Sequence, residues 1–238
     1  MPNWVYNTFT VSDLTVEQAD EIVSALKAGK LLNLILPEPD WETTPNEQGE
    51  LPTKDEDGDL RFADGRDERW YYWRYKKWGT KWDVKQPDGV ITKSIGSDLV
   101  ELAATFETAW APPDQNWLHA FMKRYPEVTI QNIYIEESEY HGVMVGKGGK
   151  VTNDKRGLEY EEEMRNAFFE AHPYELTGDE EKDEEASFNQ QCKWSDERFE
   201  IIKESLVETT EKMLLDLDNR PSMAEFYKEL LSERKIES

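Results

Sequence analysis

Residues 99–110 alternate between two kinds of side chain, and this pattern predicts a β-strand with one dry face and one wet face. The dry face carries Val100, Leu102, Ala104, Phe106, Thr108 and Trp110, and the wet face carries Glu101, Thr105 and Glu107. Such alternation is typical of an antiparallel sheet that packs on one side and meets water on the other. The rest of the chain must therefore supply elements that cover the dry face.

The segments around this strand follow a ferredoxin-like order. We predict strands at 3–11, 31–36, 82–85, 99–110 and 128–135 and a hairpin of 140–145 with 150–152. One helix should begin at Thr15, with Gln18 as its capping-box partner, and another at Pro113-Asp114. Pro87-Asp88-Gly89 is predicted to be a turn. Residues 37–69 are polar and turn-rich, which indicates a long insertion loop. The predicted fold class is α+β: a ferredoxin-like βαββαβ sheet with a long insertion and an extra hairpin, followed by an acidic α-helical C-terminal extension.

The distribution of charge suggests a domain boundary near residues 153–157. The chain carries a net charge of −23. Residues 1–154 hold 16 basic and 27 acidic residues, and residues 155–238 hold 12 basic and 24 acidic residues. We predict a ferredoxin-like domain at 1–154 and an acidic helical extension at 155–238. Within the extension we predict a helix at 158–170, a mobile acidic run at 179–185, a long helix capped by Ser195 and a last helix from Pro221.

Composition excludes several kinds of partner and location. A chain this acidic repels phosphate, so duplex DNA and anionic membranes are not expected partners. No apolar run approaches the ~20 residues that span a bilayer, and the first residues lack the features of a signal peptide. The single cysteine, Cys192, excludes an intramolecular disulfide. We expect a soluble protein of the cytoplasm.

Catalytic and metal-binding motifs are absent from the sequence. It contains neither a Gly-x-Ser-x-Gly elbow nor a His-Glu-x-x-His pair. The three histidines, His119, His141 and His172, share no ligand spacing. We therefore predict a protein that is not an enzyme and that has no cofactor and no metal site.

An aromatic and basic run at residues 70–83 is the candidate binding site. Seven of residues 70–82 are aromatic, and they are interleaved with Arg74, Lys76, Lys77 and Lys81. The run could be a platform on which rings stack while cations meet anions. The favoured interpretation is a small core covered by lysine stems, and the two interpretations can coexist. The candidate residues are Trp70, Tyr71, Trp73, Arg74, Lys77, Trp78, Gly79, Thr80, Lys81, Trp82, Asp83, Trp110, Pro112 and Pro113.

Several short blocks resemble a known family. They are Asn3-Trp4, Trp78-Gly79-Thr80-Lys81-Trp82-Asp83, Phe106-Glu107-Thr108-Ala109-Trp110-Ala111-Pro112-Pro113, Tyr125-Pro126 and Tyr134-Ile135-Glu136-Glu137. Over about residues 1–150 the chain resembles the YubB-like ferredoxin-like domain family of phage and plasmid proteins. The resemblance implies a ferredoxin-like sheet and no established activity, cofactor or catalytic residue.

Two functional hypotheses follow. The first is a non-enzymatic phage- or plasmid-type protein that binds a host protein with a basic patch in the bacterial cytoplasm, for host takeover or counter-defence. Acidic mimicry of DNA by the C-terminal helices is one form of it, although acidity could equally serve solubility alone. The second is single-stranded nucleic-acid or nucleotide binding by residues 70–82. An apolar stripe at 195–218 could also form a homodimer seam.

Overall fold

The structure, a computed structural model, describes residues 3–85, 89–94, 99–137, 140–174 and 176–219. Its elements in chain order are β1 (Trp4–Thr15), α1 (Val16–Lys27), α2 (Leu31–Ile35), β2 (Thr53–Lys54), β3 (Leu60–Phe62), β4 (Gly65–Arg66), α3 (Arg69–Trp78), β5 (Gly89–Ser94), β6 (Leu99–Ala109), α4 (Gln115–Arg124), β7 (Thr129–Glu136), β8 (Tyr140–Lys147), β9 (Lys150–Gly157), α5 (Leu158–Ala171) and α6 (Glu180–Asn219). No helix in these ranges combines the length and the apolar character needed to cross a membrane.

Six strands form one antiparallel sheet in the order β5-β6-β1-β7-β8-β9. β1 lies between β6 and β7, and β5 lies outside β6, so these four strands with α1 and α4 reproduce the βαββαβ plan. The predicted hairpin, β8 and β9, extends the sheet beyond β7. The α+β fold class predicted from the sequence is confirmed.

Helices α1 and α4 share the main hydrophobic core with the sheet. α1 begins at the predicted capping box, in which Thr15 and Gln18 each accept the other's backbone N–H. α4 begins at Asp114, whose side chain accepts the backbone N–H of Trp117 at 2.9 Å. The core includes Phe9, Ile22, Leu26, Leu102, Trp117, Leu118, Phe121 and Ile130.

Helix α6 covers part of the opposite face of the sheet. A second apolar cluster joins it to β7 and β8, and the buried members of this cluster are Ile135, Val143, Val145, Ile202, Leu206 and Leu217. The predicted apolar stripe of this helix thus faces the sheet, and α6 packs on β7 and β8. A homodimer seam along the same stripe would have to displace the sheet.

Residues 31–36 differ from their predicted structure, because they form helix α2 rather than a strand. The buried residues Leu31, Leu32 and Ile35 have helical spacing. The carboxylate of Asp83 accepts the backbone N–H groups of Leu32 at 2.8 Å and Asn33 at 2.9 Å. These bonds satisfy donors that a helix start leaves unpaired. Their acceptor lies 51 residues beyond Leu32, outside any local pattern.

Two further predictions about strands and loops need correction. Residues 82–85 are not a strand, because Asp83 holds this stretch against α2, and the second strand of the plan is β5. The insertion at 37–69 is not entirely a loop, since β2, β3 and β4 form a small three-stranded sheet within it. The predicted turn at 87–89 lies partly outside the described residues.

The acidic run at 179–185 was predicted to be mobile, yet residues 180–185 are the first turns of α6. α6 passes through Ser195 without a break, so this residue is not its cap. Acidic side chains in a first helical turn interact favourably with the helix dipole, which explains why this run supports a helix. The predicted last helix from Pro221 lies outside the described residues.

A half-buried polar seam joins α5 and α6 to the sheet. Arg198 of α6 donates hydrogen bonds of 2.6 and 2.8 Å to Glu161 of α5, and Arg156 of β9 donates one of 2.8 Å to the hydroxyl of Thr209 in α6. His141 is buried beside them, and its Nε2 has no hydrogen-bond partner among the described residues. Burial lowers the pKa of His141 below its ordinary value, and the opposing effect of Glu161 is smaller.

His141 is expected to make stability depend on pH. Its pKa is lower in the folded state than the ~6.5 of the unfolded chain, so below that pH the unfolded state binds more protons. The free energy of unfolding should therefore fall as the pH drops from about 7 to about 5. His141→Gln should show a smaller fall in denaturant titrations at each pH. The carboxylates are the same in both proteins, so their contribution to the pH dependence cancels in the comparison. If the free energy of unfolding changes equally with pH in both proteins, the prediction is wrong.

Candidate binding surface

Helix α3 carries the first half of the aromatic and basic run, and Gly79 ends it. The φ of Gly79 is 82°, and a Cβ at this position would lie 2.6 Å from the Cβ of Asp114, so only glycine fits. The hydroxyl of Thr80 then donates to the carbonyl of Ala109 at 2.7 Å. The chain is thereby turned so that the second half of the run lies against the end of β6.

The inner side of α3 is structural. Trp78 is 1% exposed, and its indole N–H donates to a backbone carbonyl just after α2 at 2.9 Å. Trp73 packs edge-on against Trp78, with 5.5 Å between ring centroids. Arg74 lies 5.0 Å from the ring of Trp70 and donates to Glu38 at 2.6 Å. These residues join α3 to residues 36–38, where the insertion begins, as the core interpretation predicts.

Four more candidate residues also serve the fold. Gly79 and Thr80 make the turn described above, and Pro113 is buried. Asp83 accepts the backbone N–H groups of α2, and burial raises its pKa although those hydrogen bonds act to lower it. These four residues therefore have structural roles in the turn after α3, the start of α2 and the core.

Tyr71 and Trp82 of the run meet the start of β1 and the end of β6 at a half-exposed edge of the sheet, which we call the aromatic corner. Its residues are Trp4, Tyr71, Lys81, Trp82, Lys85 and Trp110. The Nζ of Lys81 lies 4.8 Å from the ring centroids of both Trp82 and Trp110 and 5.9 Å from that of Tyr71. None of the ion pairs among the described residues includes Lys81.

A second ring and cation continue the aromatic corner along β1. The ring centroids of Trp4 and Trp82 are 6.0 Å apart. The Nζ of Lys85 lies 3.5 Å from the centroid of Trp4 and 2.5 Å from a carboxylate oxygen of Glu107. Rings therefore alternate with ammonium groups, an arrangement stabilised by cation–π attraction.

The outer side of α3 adds exposed aromatic and basic side chains to this surface. Tyr72 and Tyr75 are 64% and 61% exposed, and Lys76 and Lys77 are exposed as well. Residues 69–85 contain six basic residues and one acidic residue, although the whole chain has a net charge of −23. The surface is thus locally cationic on an acidic protein.

Sequence reasoning missed Trp4 and Lys85 as members of the site. Trp4 lies two residues before the exposed Tyr6, so the two side chains share the outer face of β1. What joins it to the corner is strand register, since Trp4 pairs with Ala109, next to Trp110. A single sequence does not reveal which strands pair, so this proximity could not be predicted.

A groove of about 550 Å³ lies beside the aromatic corner, between the sheet and α6. Its lining includes Tyr6, Thr105, Ile133, Phe199 and Lys203, and it shares Lys85 and Glu107 with the corner region. The ring of Phe199 meets that of Tyr6 edge-on at 5.2 Å, so α6 forms one wall. Within the described ranges, no group of three His, Cys, Asp or Glu residues could hold a metal ion.

Comparisons with known proteins bear on the fold. Residues 77–174 match the model of a family described as a ferredoxin-like domain in Api92-like protein. That region extends from the end of α3 to just beyond α5. A crystal structure of protein Api92 from Yersinia pseudotuberculosis is similar over 66% of this chain and 98% of its own, with 10% identity and a TM-score of 0.35. A search of curated proteins finds no match.

The two sides of α3 should respond differently to truncation. Trp78→Ala should lower the free energy of unfolding by about 3–5 kcal/mol, because it empties a buried site and removes a hydrogen bond. Tyr72→Ala on the outer side should change it by no more than about 0.5 kcal/mol. Denaturant unfolding measures both, and similar losses would show that the two sides do not differ as described.

Proposed function

We propose that this protein is a non-enzymatic phage- or plasmid-type accessory protein that binds a host protein with a basic patch in the bacterial cytoplasm. The acidic outer side of α6 is the proposed recognition surface. The observation that carries the proposal is a row of exposed glutamates on this helix: Glu197, Glu200, Glu204, Glu208 and Glu211. Binding at this row would serve host takeover or counter-defence.

The spacing of the row supports mimicry of DNA. Steps of three or four residues place all five carboxylates on one side of the helix, about 5 Å apart along its axis. Each strand of duplex DNA carries one phosphate per ~3.4 Å of axis, so the row is a comparable but sparser line of negative charge. Glu200 and Glu208 have lysine neighbours at 3.8 and 2.7 Å. Exposed pairs of this kind neutralise little.

The support behind the row is rigid. Ile202 and Leu206 lie on the same stretch of α6 and are buried against the sheet, so the backbone that carries the glutamates does not have to be ordered when a partner binds. Negative potential speeds encounter with a basic partner and disfavours acidic ones. A basic groove that normally holds nucleic acid is the partner surface that this arrangement fits.

Charge reversal tests this proposal. The variant Glu204→Lys, Glu208→Lys, Glu211→Lys should lose about tenfold or more of its capture of basic DNA-binding proteins from bacterial lysate. The matched control Asp20→Lys, Glu47→Lys, Glu56→Lys changes three exposed acidic residues elsewhere and should retain capture. Duplex DNA should compete with the wild-type protein for the same partners. Equal capture by all three proteins would refute the role of the row.

A second candidate function is binding of single-stranded nucleic acid or a nucleotide at the aromatic corner and the outer side of α3. It is favoured by the exposed rings and lysines that share this one surface. Flat rings stack on bases of any sequence, and lysines meet the phosphates.

Fluorescence anisotropy with a labelled single strand of about ten nucleotides tests the second candidate. We expect binding at low salt that weakens as salt is raised, because the lysines release counterions from the strand. An absence of binding at low salt would exclude this candidate and leave the first one intact.

A further inference from the structure

Trp110 combines two features, each of which lowers the stability of the fold. Its φ is 67°, in the left-handed region that bulky residues rarely occupy. Its side chain is also 40% exposed, although indole is largely apolar. A glycine would relieve the first cost, and a polar residue would relieve the second. Strained residues of this kind concentrate at ligand-binding sites.

The surrounding structure fixes the backbone of Trp110 on both sides. Its N–H donates to the carbonyl of Asn3 at 2.9 Å, and its carbonyl accepts the hydroxyl of Tyr140 at 2.6 Å. Pro112 and Pro113 follow and restrict the chain further. The unusual conformation is therefore held by hydrogen bonds from β1 and β8, and it points to a role for the exposed ring.

The ring of Trp110 supports the ammonium group of Lys81, which makes no ion pair with any residue that the structure describes. Lys81 lies between the indoles of Trp110 and Trp82, 4.8 Å from each centroid. The aromatic rings restrict the ammonium group, so little conformational entropy remains to be lost when an anion binds it. A positive charge held in this way is prepared for an anionic ligand.

We propose that Trp110, Lys81 and Trp82 are the anchor of a single-strand binding site, an inference that rests on the second candidate function. Lys81 binds a phosphate, and the exposed part of the Trp110 indole stacks on the adjacent base. Trp4 and Lys85 repeat the pairing of ring and ammonium next to Trp82, although Glu107 partly neutralises Lys85. In a nucleic-acid strand, bases that can stack on rings alternate with phosphates that can bind ammonium groups. The repeated pairing of ring and ammonium matches that alternation, whereas an acidic peptide offers anions alone.

The substitution Trp110→Gly separates binding from folding. Glycine accepts the left-handed backbone, so the variant should remain folded, which thermal unfolding verifies. It should bind the labelled single strand about 5- to 150-fold more weakly, the usual range for loss of one base–aromatic stack.

Lys81→Met keeps the length of the side-chain stem and removes its charge. It should weaken binding and reduce the slope of log affinity against log salt by about 1. Lys123→Met, an exposed lysine on α4, is the matched control and should change neither.

The outcomes distinguish this inference from the function on which it rests. If the wild-type protein binds the strand and both variants bind equally well, the anchor assignment is wrong and single-strand binding stands. If the wild-type protein binds no single strand, the anchor assignment and the second candidate function are both wrong. If it instead binds a labelled polyglutamate peptide, and the same two substitutions weaken that binding, the corner takes an acidic peptide and the nucleic-acid assignment is overturned.

Discussion

The buried amide of Asn7 fixes the register of the central strand, and the aromatic corner depends on that register. Its Nδ2 donates to Thr108 in β6 at 3.0 Å, and its Oδ1 accepts from Asn132 in β7 at 3.0 Å. A slip of β1 by one residue would break these bonds in a dry interior and turn the apolar side chains to the wrong face. The same register brings Trp4 beside the end of β6, so the aromatic corner exists only in this alignment.

The elements that could be predicted are those whose causes lie within a few residues. The alternation at 99–110 identified β6, and the Thr15–Gln18 spacing identified the start of α1. Helix α2 could not be predicted, because the carboxylate that satisfies its first N–H groups comes from Asp83, far along the chain. The break expected at Ser195 was wrong for a related reason: the buried contacts of α6 continue through that region, where Trp194 packs on Phe168 of α5.

The candidate site was predicted in composition and not in arrangement. Residues 70–83 do contain the rings and cations of the aromatic corner, but the helix divides them between two sides. Trp78 and Trp73 form core, whereas Tyr72 and Tyr75 meet solvent. Helical spacing indicates which residues share a side, but it does not indicate which side the insertion covers. The contributions of Trp4 and Lys85 depend on strand pairing and on the return of the chain after Gly79.

The uninterrupted length of α6 has a mechanical consequence. The helix has 40 residues, which corresponds to about 60 Å, more than twice the length of an eight-residue strand. Its first half lies along α5, where Gln190 donates to the carbonyl of His172 at 2.8 Å, and its second half lies on β7 and β8. No proline or glycine within it offers a hinge. It therefore joins α5 to the sheet as one continuous element, and Phe199 at the wall of the groove is held on that support.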